Sequence, residues 1–138
     1  ERVLPEILGY WGGMINEGAT SFWEKYNPAD EGAGHLAMYG RPYGKSLCHA
    51  WGASPIYLIG RYYLGVSPTK PGYAEYEVKP VLGGLKRMQG SVPTPFGEIM
   101  VKMDGRTVSV KSDGGRGSLV VGGKTYDIPA GQELKIEY

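Results

Sequence analysis

The sequence predicts an α + β protein in two parts: a helical, aromatic first part to residue 66 and an antiparallel β-sandwich over 67–138. Three observations carry this. Apolar residues recur at helical spacing through 3–16 and run almost unbroken through 55–64. Composition changes at Ser67-Pro68-Thr69-Lys70-Pro71-Gly72, where proline and glycine punctuate the chain. Beyond that junction, short runs alternate apolar with polar residues between glycine turns, the period of half-buried strands.

In the first part, Leu4, Ile7, Leu8, Trp11, Met14 and Ile15 fall on one broad stripe of a helix over 3–16. Pro5 fits only a first turn, so the regular helix starts near it. Gly9, Gly12 and Gly13 each cost such a helix roughly 1 kcal/mol relative to alanine, so something is expected to pack closely against it. Gly18 is its stop. Thr20 or Ser21 would cap a short second helix, and Ser21 and Glu24 have the spacing of a capping box. Residues 27–47 hold Pro, Gly, Asn, Asp and Ser without a period and read as a long loop, Asn27 to Lys45. Within it His35 reads as solvated, and Tyr39, Arg41 and Tyr43 as loop anchors or as the lining of a sugar subsite. Ser54-Pro55 then starts a helix over Pro55–Leu64, apolar nearly all round except for Arg61 and closed by Gly65. A helix apolar on every face is buried on every face, and this chain supplies few neighbours for it. That mismatch points to a piece of a larger helical barrel. Without their neighbours, helices 5–16 and 55–64 would expose apolar surface, and the chain would dimerise or aggregate.

In the second part, Tyr76 and Val78 lie in a strand that ends at Pro80. Ile99, Val101 and Met103 alternate with Glu98 and Lys102; after Asp104-Gly105, Val108 and Val110 alternate with Thr107, Ser109 and Lys111. Asp-Gly between alternating runs is a strong hairpin signal. Gly122-Gly123 turns a second hairpin between Leu119–Val121 and Lys124–Ile128, and Leu134, Ile136 and Tyr138 form a last strand.

Composition removes several function classes. The formal net charge is +1 with both signs dispersed, so neither a nucleic-acid stripe nor a solvating acidic arm is present. No apolar run approaches the ~18 residues of a membrane span. The single cysteine, Cys48, cannot form an internal disulfide and reads as a buried structural thiol. His35 and His49 lack the paired cysteines or helical spacing of a metal site. Gly44-Lys45-Ser46 imitates the end of a phosphate loop, but Tyr39 stands where its first glycine belongs. No metal and no cofactor are therefore expected. The chain lacks an initial methionine, and Glu1-Arg2-Val3-Leu4 reads as the middle of an element, so a fragment is expected; the compartment (cytoplasm, periplasm or outside the cell) stays open.

Candidate chemistry gathers in Gly18–Glu24, which lies between Tyr10-Trp11-Gly12-Gly13-Met14 and Cys48-His49-Ala50-Trp51-Gly52-Ala53. Small residues let a backbone approach a ligand, and tryptophans offer flat apolar walls. Glu24 and His49 are groups that move protons near neutral pH. Aromatic platforms with a carboxylate make the chemistry of a sugar site, and glycosidic hydrolysis uses two carboxyl groups. The candidates are Glu6, Glu17, Glu24, Asp30 and Glu31. Glu17 and Glu24 would share a face only if one helix ran through Gly18 and Thr20, so they do not read as a pair, and Glu17 reads as a surface charge. Trp23 and Trp51 read as pocket walls or core, and Trp11 as packing.

Gly-Ala-Thr-Ser-Phe-Trp-Glu at 18–24, with the flanking Tyr-Trp-Gly-Gly-Met and Ser-Leu-Cys-His-Ala-Trp-Gly-Ala, resembles the C-terminal part of bacterial α-L-rhamnosidases. Arg61–Tyr73 resembles that family's exit from its helical barrel, and Gly90–Gly97 its passage into a terminal β-domain; the five motifs keep their order over residues 3–104. The resemblance implies the terminal helices of an (α/α)6 barrel over 1–66 followed by an antiparallel β-sandwich over 67–138. It implies an inverting glycosidase that releases terminal α-linked L-rhamnose without a cofactor. Glu24 takes the place of the general base and His49 that of a sugar contact, with Trp51 and Trp23 as substrate-binding walls beside them. The acid partner belongs to a region upstream, so this piece alone is expected to be inactive. Its expected partners are a rhamnose-containing glycoside, the missing N-terminal part of the parent and, through exposed barrel helices, a second copy. Two other readings stay open: an (α/α)6 glycosidase of other sugar specificity, and a non-catalytic carbohydrate-binding or structural β-sandwich module. The polar strand faces carry no evident aromatic platform, which favours packing over binding there.

Overall fold

Helix α1 spans Val3–Asn16 in the computed structural model, which describes residues 3–138. Gly13 and Met14 are its buried positions, whereas Leu8 and Ile15 of the same apolar stripe stay exposed. Of its three glycines only Gly13 is pressed: a Cβ there would lie 2.4 Å from the Tyr26 ring, while Gly9 and Gly12 meet open space. The helix ends as its sequence predicts. Gly18 adopts φ +87°, its N–H reaches Ile15 O at 2.9 Å, and the Ala19 N–H reaches Met14 O at 2.9 Å. Those two bonds satisfy carbonyls that the helix end would leave open.

Contacts divide the chain into a unit through Ile56 and a unit over Tyr57–Tyr138. The rest of the first unit is loop, with short 3₁₀ turns at Gly32–Leu36 and Ala50–Ala53. The short helix expected from Thr20 or Ser21 does not form. Its backbone is used elsewhere: the Glu24 N–H bonds Ser46 O at 2.9 Å, and the His49 N–H bonds Phe22 O at 2.8 Å. A segment whose polar groups pair with a distant stretch has none left to close a helical turn. Ser21 accordingly caps nothing and donates its hydroxyl to Leu47 O.

The helix expected over Pro55–Leu64 forms over Ser54–Tyr63, but its hydrogen-bond period widens partway. Helix α2 covers Ser54–Leu58 and passes into a π turn, Ile59–Tyr63, in which the Leu64 N–H reaches Ile59 O at 2.9 Å. It is not covered on all faces: Ile56, Tyr57, Ile59 and Tyr62 are exposed, and Tyr63 and Leu64 turn inward. Among the described residues the helical runs are α1, the Ser54–Tyr63 segment and short 3₁₀ turns, so this structure holds no ring of barrel helices.

The second unit is a sandwich of two four-stranded sheets. Its strands are β1 (Val66–Pro68), β2 (Glu75–Val78), β3 (Arg87–Thr94), β4 (Gly97–Asp104), β5 (Thr107–Ser112), β6 (Arg116–Val121), β7 (Lys124–Ile128) and β8 (Glu133–Glu137). One sheet has the order β1-β2-β6-β7 and the other β3-β4-β5-β8. The second is antiparallel throughout, as expected, but β2 and β6 run parallel, so the first is mixed. The chain between those two strands builds β3–β5 in the other sheet before returning, and that excursion allows a parallel partner. Asp104-Gly105 and Gly122-Gly123 turn the hairpins that their sequences predict. In register, Val101 faces Val110 and Met103 faces Val108. With Ile99 they meet Val66, Val78, Leu119, Val121 and Ile128 in one core. Burying each such side chain contributes roughly 1.5–3 kcal/mol.

Tyr76 sits in this core as an anomaly. The residue is 2 % exposed; the Ser112 hydroxyl lies near its own hydroxyl, but no contact of good hydrogen-bond geometry is made among the described residues. Burial pushes its phenol pKa up, against a smaller opposing influence of Ser112. A buried hydroxyl without a partner costs roughly 1–3 kcal/mol of lost hydration. Tyr76→Phe keeps the ring and removes that cost, so it is expected to leave stability unchanged or raise it by about 1 kcal/mol. Thermal melting checks this; a clear loss of stability would show that the hydroxyl is satisfied.

Candidate functional site

Two segments of the first unit, 22–24 and 46–49, run side by side, held by the backbone bonds described above, and Glu24 sits between them. The residue is partly exposed, and its carboxylate receives two donors. The Tyr39 hydroxyl donates to Oε1, and the Ser46 backbone N–H donates to Oε2 at 3.1 Å. The Tyr39 bond, first, and the Ser46 bond hold its pKa below the ordinary carboxylate value; slight desolvation opposes them, and the charges of His49 and Lys45 reinforce them. Glu24 is therefore ionised well below neutral pH. An ionised carboxylate with two of its roughly four lone-pair sites taken keeps capacity for water, as a general base requires.

His49 enters this site through its backbone bond to Phe22, and its ring packs edge-on against Trp51, with centroids 5.3 Å apart and planes at 84°. Trp51 is 86 % exposed, an apolar plane open to solvent. Trp23 lies differently: at 5 % exposure it is core, not an open wall. Gly52 explains how the segment approaches it, since a Cβ at Gly52 would lie 2.4 Å from Trp23 O. Trp11 anchors the same stretch by donating its indole N–H to Gly52 O at 2.7 Å. A separate apolar pocket of about 250 Å³, lined by Trp11, Met14, Ile15 and residues 19–22, includes neither Glu24 nor His49.

Two expectations about single side chains are overturned. His35 is buried, not solvated: its ring stacks on Tyr26 at 5.7 Å with planes 2° apart, and Nε2 lies 3.6 Å from Glu17 Oε2. The 27–45 loop folds back on the aromatic residues before it, so its own side chains pack inside, which a loop's composition does not reveal. Cys48 is exposed, not buried. Lys45, the middle of the mock phosphate loop, is buried with Nζ 5.9 Å from the centre of the Trp23 ring. Arg41 and Tyr43 are exposed.

The contact that sequence reasoning missed is Tyr39 on Glu24. Met38 and Arg41 exchange backbone bonds of 3.0 and 2.9 Å, and Tyr39 (φ +54°) and Gly40 (φ +71°) form the two-residue turn between them. Both central residues at positive φ is the pattern of a type I′ turn. Tyr39-Gly40 was the only signal in the sequence, and tyrosine is not a usual residue at the first position.

A profile of the bacterial alpha-L-rhamnosidase C-terminal domain matches residues 65–112. An alpha-L-rhamnosidase of Alteromonas sp. (strain LOR) is 35 % identical over 122 residues, 80 % of this chain and 12 % of that protein. Three solved structures share the fold. The alfa-L-rhamnosidase of Aspergillus terreus superposes with a TM-score of 0.66 at 20 % identity, over 91 % of this chain and 15 % of its own. That of Streptomyces avermitilis, complexed with L-rhamnose, gives 0.67 at 15 % identity, over 92 % and 15 %. A GH78 family rhamnosidase of Bacillus sp. GL1 gives 0.56 at 30 % identity, over 78 % and 10 %. The chain thus spans only a small part of each of these relatives.

Proposed function

The chain is similar to the C-terminal part of the bacterial α-L-rhamnosidases, and on that premise we propose that it is part of a longer glycoside hydrolase that releases terminal α-linked L-rhamnose with inversion. In this reading residues 1–66 supply the last helices and loops of an (α/α)6 catalytic barrel, and residues 67–138 a terminal β-sandwich. Glu24 is the general base. It takes a proton from water as the water oxygen bonds to the anomeric carbon, while the bond to the aglycone oxygen breaks. The carboxylic acid that protonates this leaving oxygen comes from the rest of the parent, roughly 6.5–9.5 Å from Glu24 so that water fits between the two. His49 hydrogen-bonds a sugar hydroxyl, for which an imidazole can donate or accept. Trp51 offers the stacking plane, and Trp23 backs the site from within the core.

The observation that carries this reading is the Glu24 carboxylate itself, held ionised by two donors on the pair of segments that also carries His49 and the exposed Trp51. A panel of aryl glycosides assayed with the parent tests it. Release is expected from the α-L-rhamnoside, with a first-formed sugar of β configuration by proton NMR; release only from another glycoside, or a first product of α configuration, would overturn it. The 138-residue chain alone has one carboxylate of the pair and is expected to show no turnover on the same substrate.

A further inference from the structure

We propose that Tyr39 is a positioning residue for the reaction: its hydroxyl fixes the Glu24 carboxylate in the orientation that presents free lone pairs to the attacking water. The proposal rests on Glu24 being the general base, and adds a residue that the reaction itself does not require by chemistry.

Three observations lead to it. First, the two donors reach different carboxylate oxygens from different parts of the chain, Tyr39 from the 38–41 turn and Ser46 from the paired segment. A carboxylate gripped at both oxygens cannot rotate about its last bond, and one lone-pair site on each oxygen stays open. Second, Tyr39 stands at φ +54°, where residues other than Gly, Asn and Asp are rare because Cβ crowds the backbone. The ring is 71 % exposed, so burial does little to offset that conformation. The bond to Glu24 is what tyrosine provides here and asparagine or glycine would not. Strained residues of this kind concentrate where geometry serves a site. Third, the turn that delivers the hydroxyl is stiff. Its ends are cross-bonded, the Gly44 N–H returns to Arg41 O at 3.3 Å, and a Cβ at Gly44 would lie 2.3 Å from Met38 O.

The groups facing Glu24 are Tyr39, the Ser46 N–H, His49 and Lys45, and all four favour its ionised form. The Tyr39 bond is the largest of these influences, and the same bond pushes the tyrosine's own pKa up. The sign follows. A donor to the ionised carboxylate lowers its pKa; removing the donor raises it. A base works deprotonated, so the acid limb of the rate profile follows that pKa upward.

Two substitutions separate positioning from fold. Tyr39→Phe keeps the ring and loses the hydroxyl; Tyr39→Asn suits the turn better and also loses it. In the 138-residue chain, the carbon-13 NMR titration midpoint of the Glu24 carboxyl is expected to move up in both variants. In the parent, the acid limb of kcat/KM is expected to move the same way, with kcat down roughly tenfold and KM little changed. If Tyr39 merely shaped the turn, Asn would match or exceed wild type in both readouts, and that result overturns the proposal. So does an unmoved midpoint in Tyr39→Phe while Glu24→Gln abolishes turnover. Near-normal turnover in Glu24→Gln instead removes the base assignment on which the proposal rests.

Discussion

Glu24→Gln in the parent is expected to cut turnover of an aryl α-L-rhamnoside by roughly 10²–10⁴-fold, with KM and the fold nearly unchanged. Glutamine has the same length, and its amide oxygen can still accept from Tyr39 or from the Ser46 N–H. What it cannot do is take a proton from water. The loss therefore falls on kcat, where an interaction made only in the transition state shows itself. Glu24 caps no helix, so the substitution removes no helical support. Steady-state kinetics with circular dichroism checks both halves, and near-normal turnover would return Glu24 to an ordinary loop carboxylate.

The second large effect belongs to stability. Gly65→Ala is expected to destabilise the Tyr57–Tyr138 unit by about 3 kcal/mol or more. Gly65 has φ +74°, and a Cβ there would lie 1.9 Å from Lys79 O and 2.2 Å from its carbonyl carbon. Both atoms are backbone, and they are held: the Lys79 N–H bonds Gly65 O at 3.0 Å, and the Val81 N–H bonds Tyr63 O at 2.8 Å. Neither side can yield without breaking the pairing that seats Leu64 and Val66 in the core. Gly105→Ala is the control. Gly105 also has positive φ, +56°, but meets nothing within 4 Å, so only the backbone term of about 1–2 kcal/mol applies. For a unit of this size each kcal/mol moves the melting temperature by roughly 4–8 °C, which puts Gly65→Ala about 10 °C or more below wild type. Equal, small losses at both glycines would contradict the close approach at Gly65.

What could be read from the sequence follows physical locality. Ile99, Val101, Met103, Val108 and Val110 announce their strands because one face of each is buried and period two survives in the residues. Strand β3 carries the same alternation but disguises it. Met88 and Val92 point inward with Gly90 between them, where a Cβ would lie 2.9 Å from Leu64 Cδ1, and the edge strand tolerates Pro93. The parallel pairing of β2 with β6 leaves no mark on either strand, because it is decided by chain that lies in the other sheet. In the first unit the cap signal at Ser21 and Glu24 was sound locally and lost to a long-range pairing with residues 46–49. Glu24 and His49 are legible as a carboxylate and an imidazole in an aromatic, glycine-spaced run. That Tyr39 would reach Glu24 is not, since it depends on a turn that brings together residues fifteen apart in the chain. Nor is the burial of His35, for the same reason.

Leu8, Ile15, Ile56, Tyr57, Ile59 and Tyr62 expose the apolar surface expected of helices 5–16 and 55–64. Turnover is tested in the parent, which would supply the partner acid. One measurement separates a general base from a residue that only binds or supports: chemical rescue of Glu24→Ala by azide. Azide fits the space that a missing carboxylate leaves and attacks the anomeric carbon without needing to lose a proton. Aglycone release is expected to return as azide is added, and NMR of the product is expected to show the β-configured rhamnosyl azide. No rescue in a folded variant, or an α-configured azide, would contradict Glu24 as the base of an inverting hydrolase.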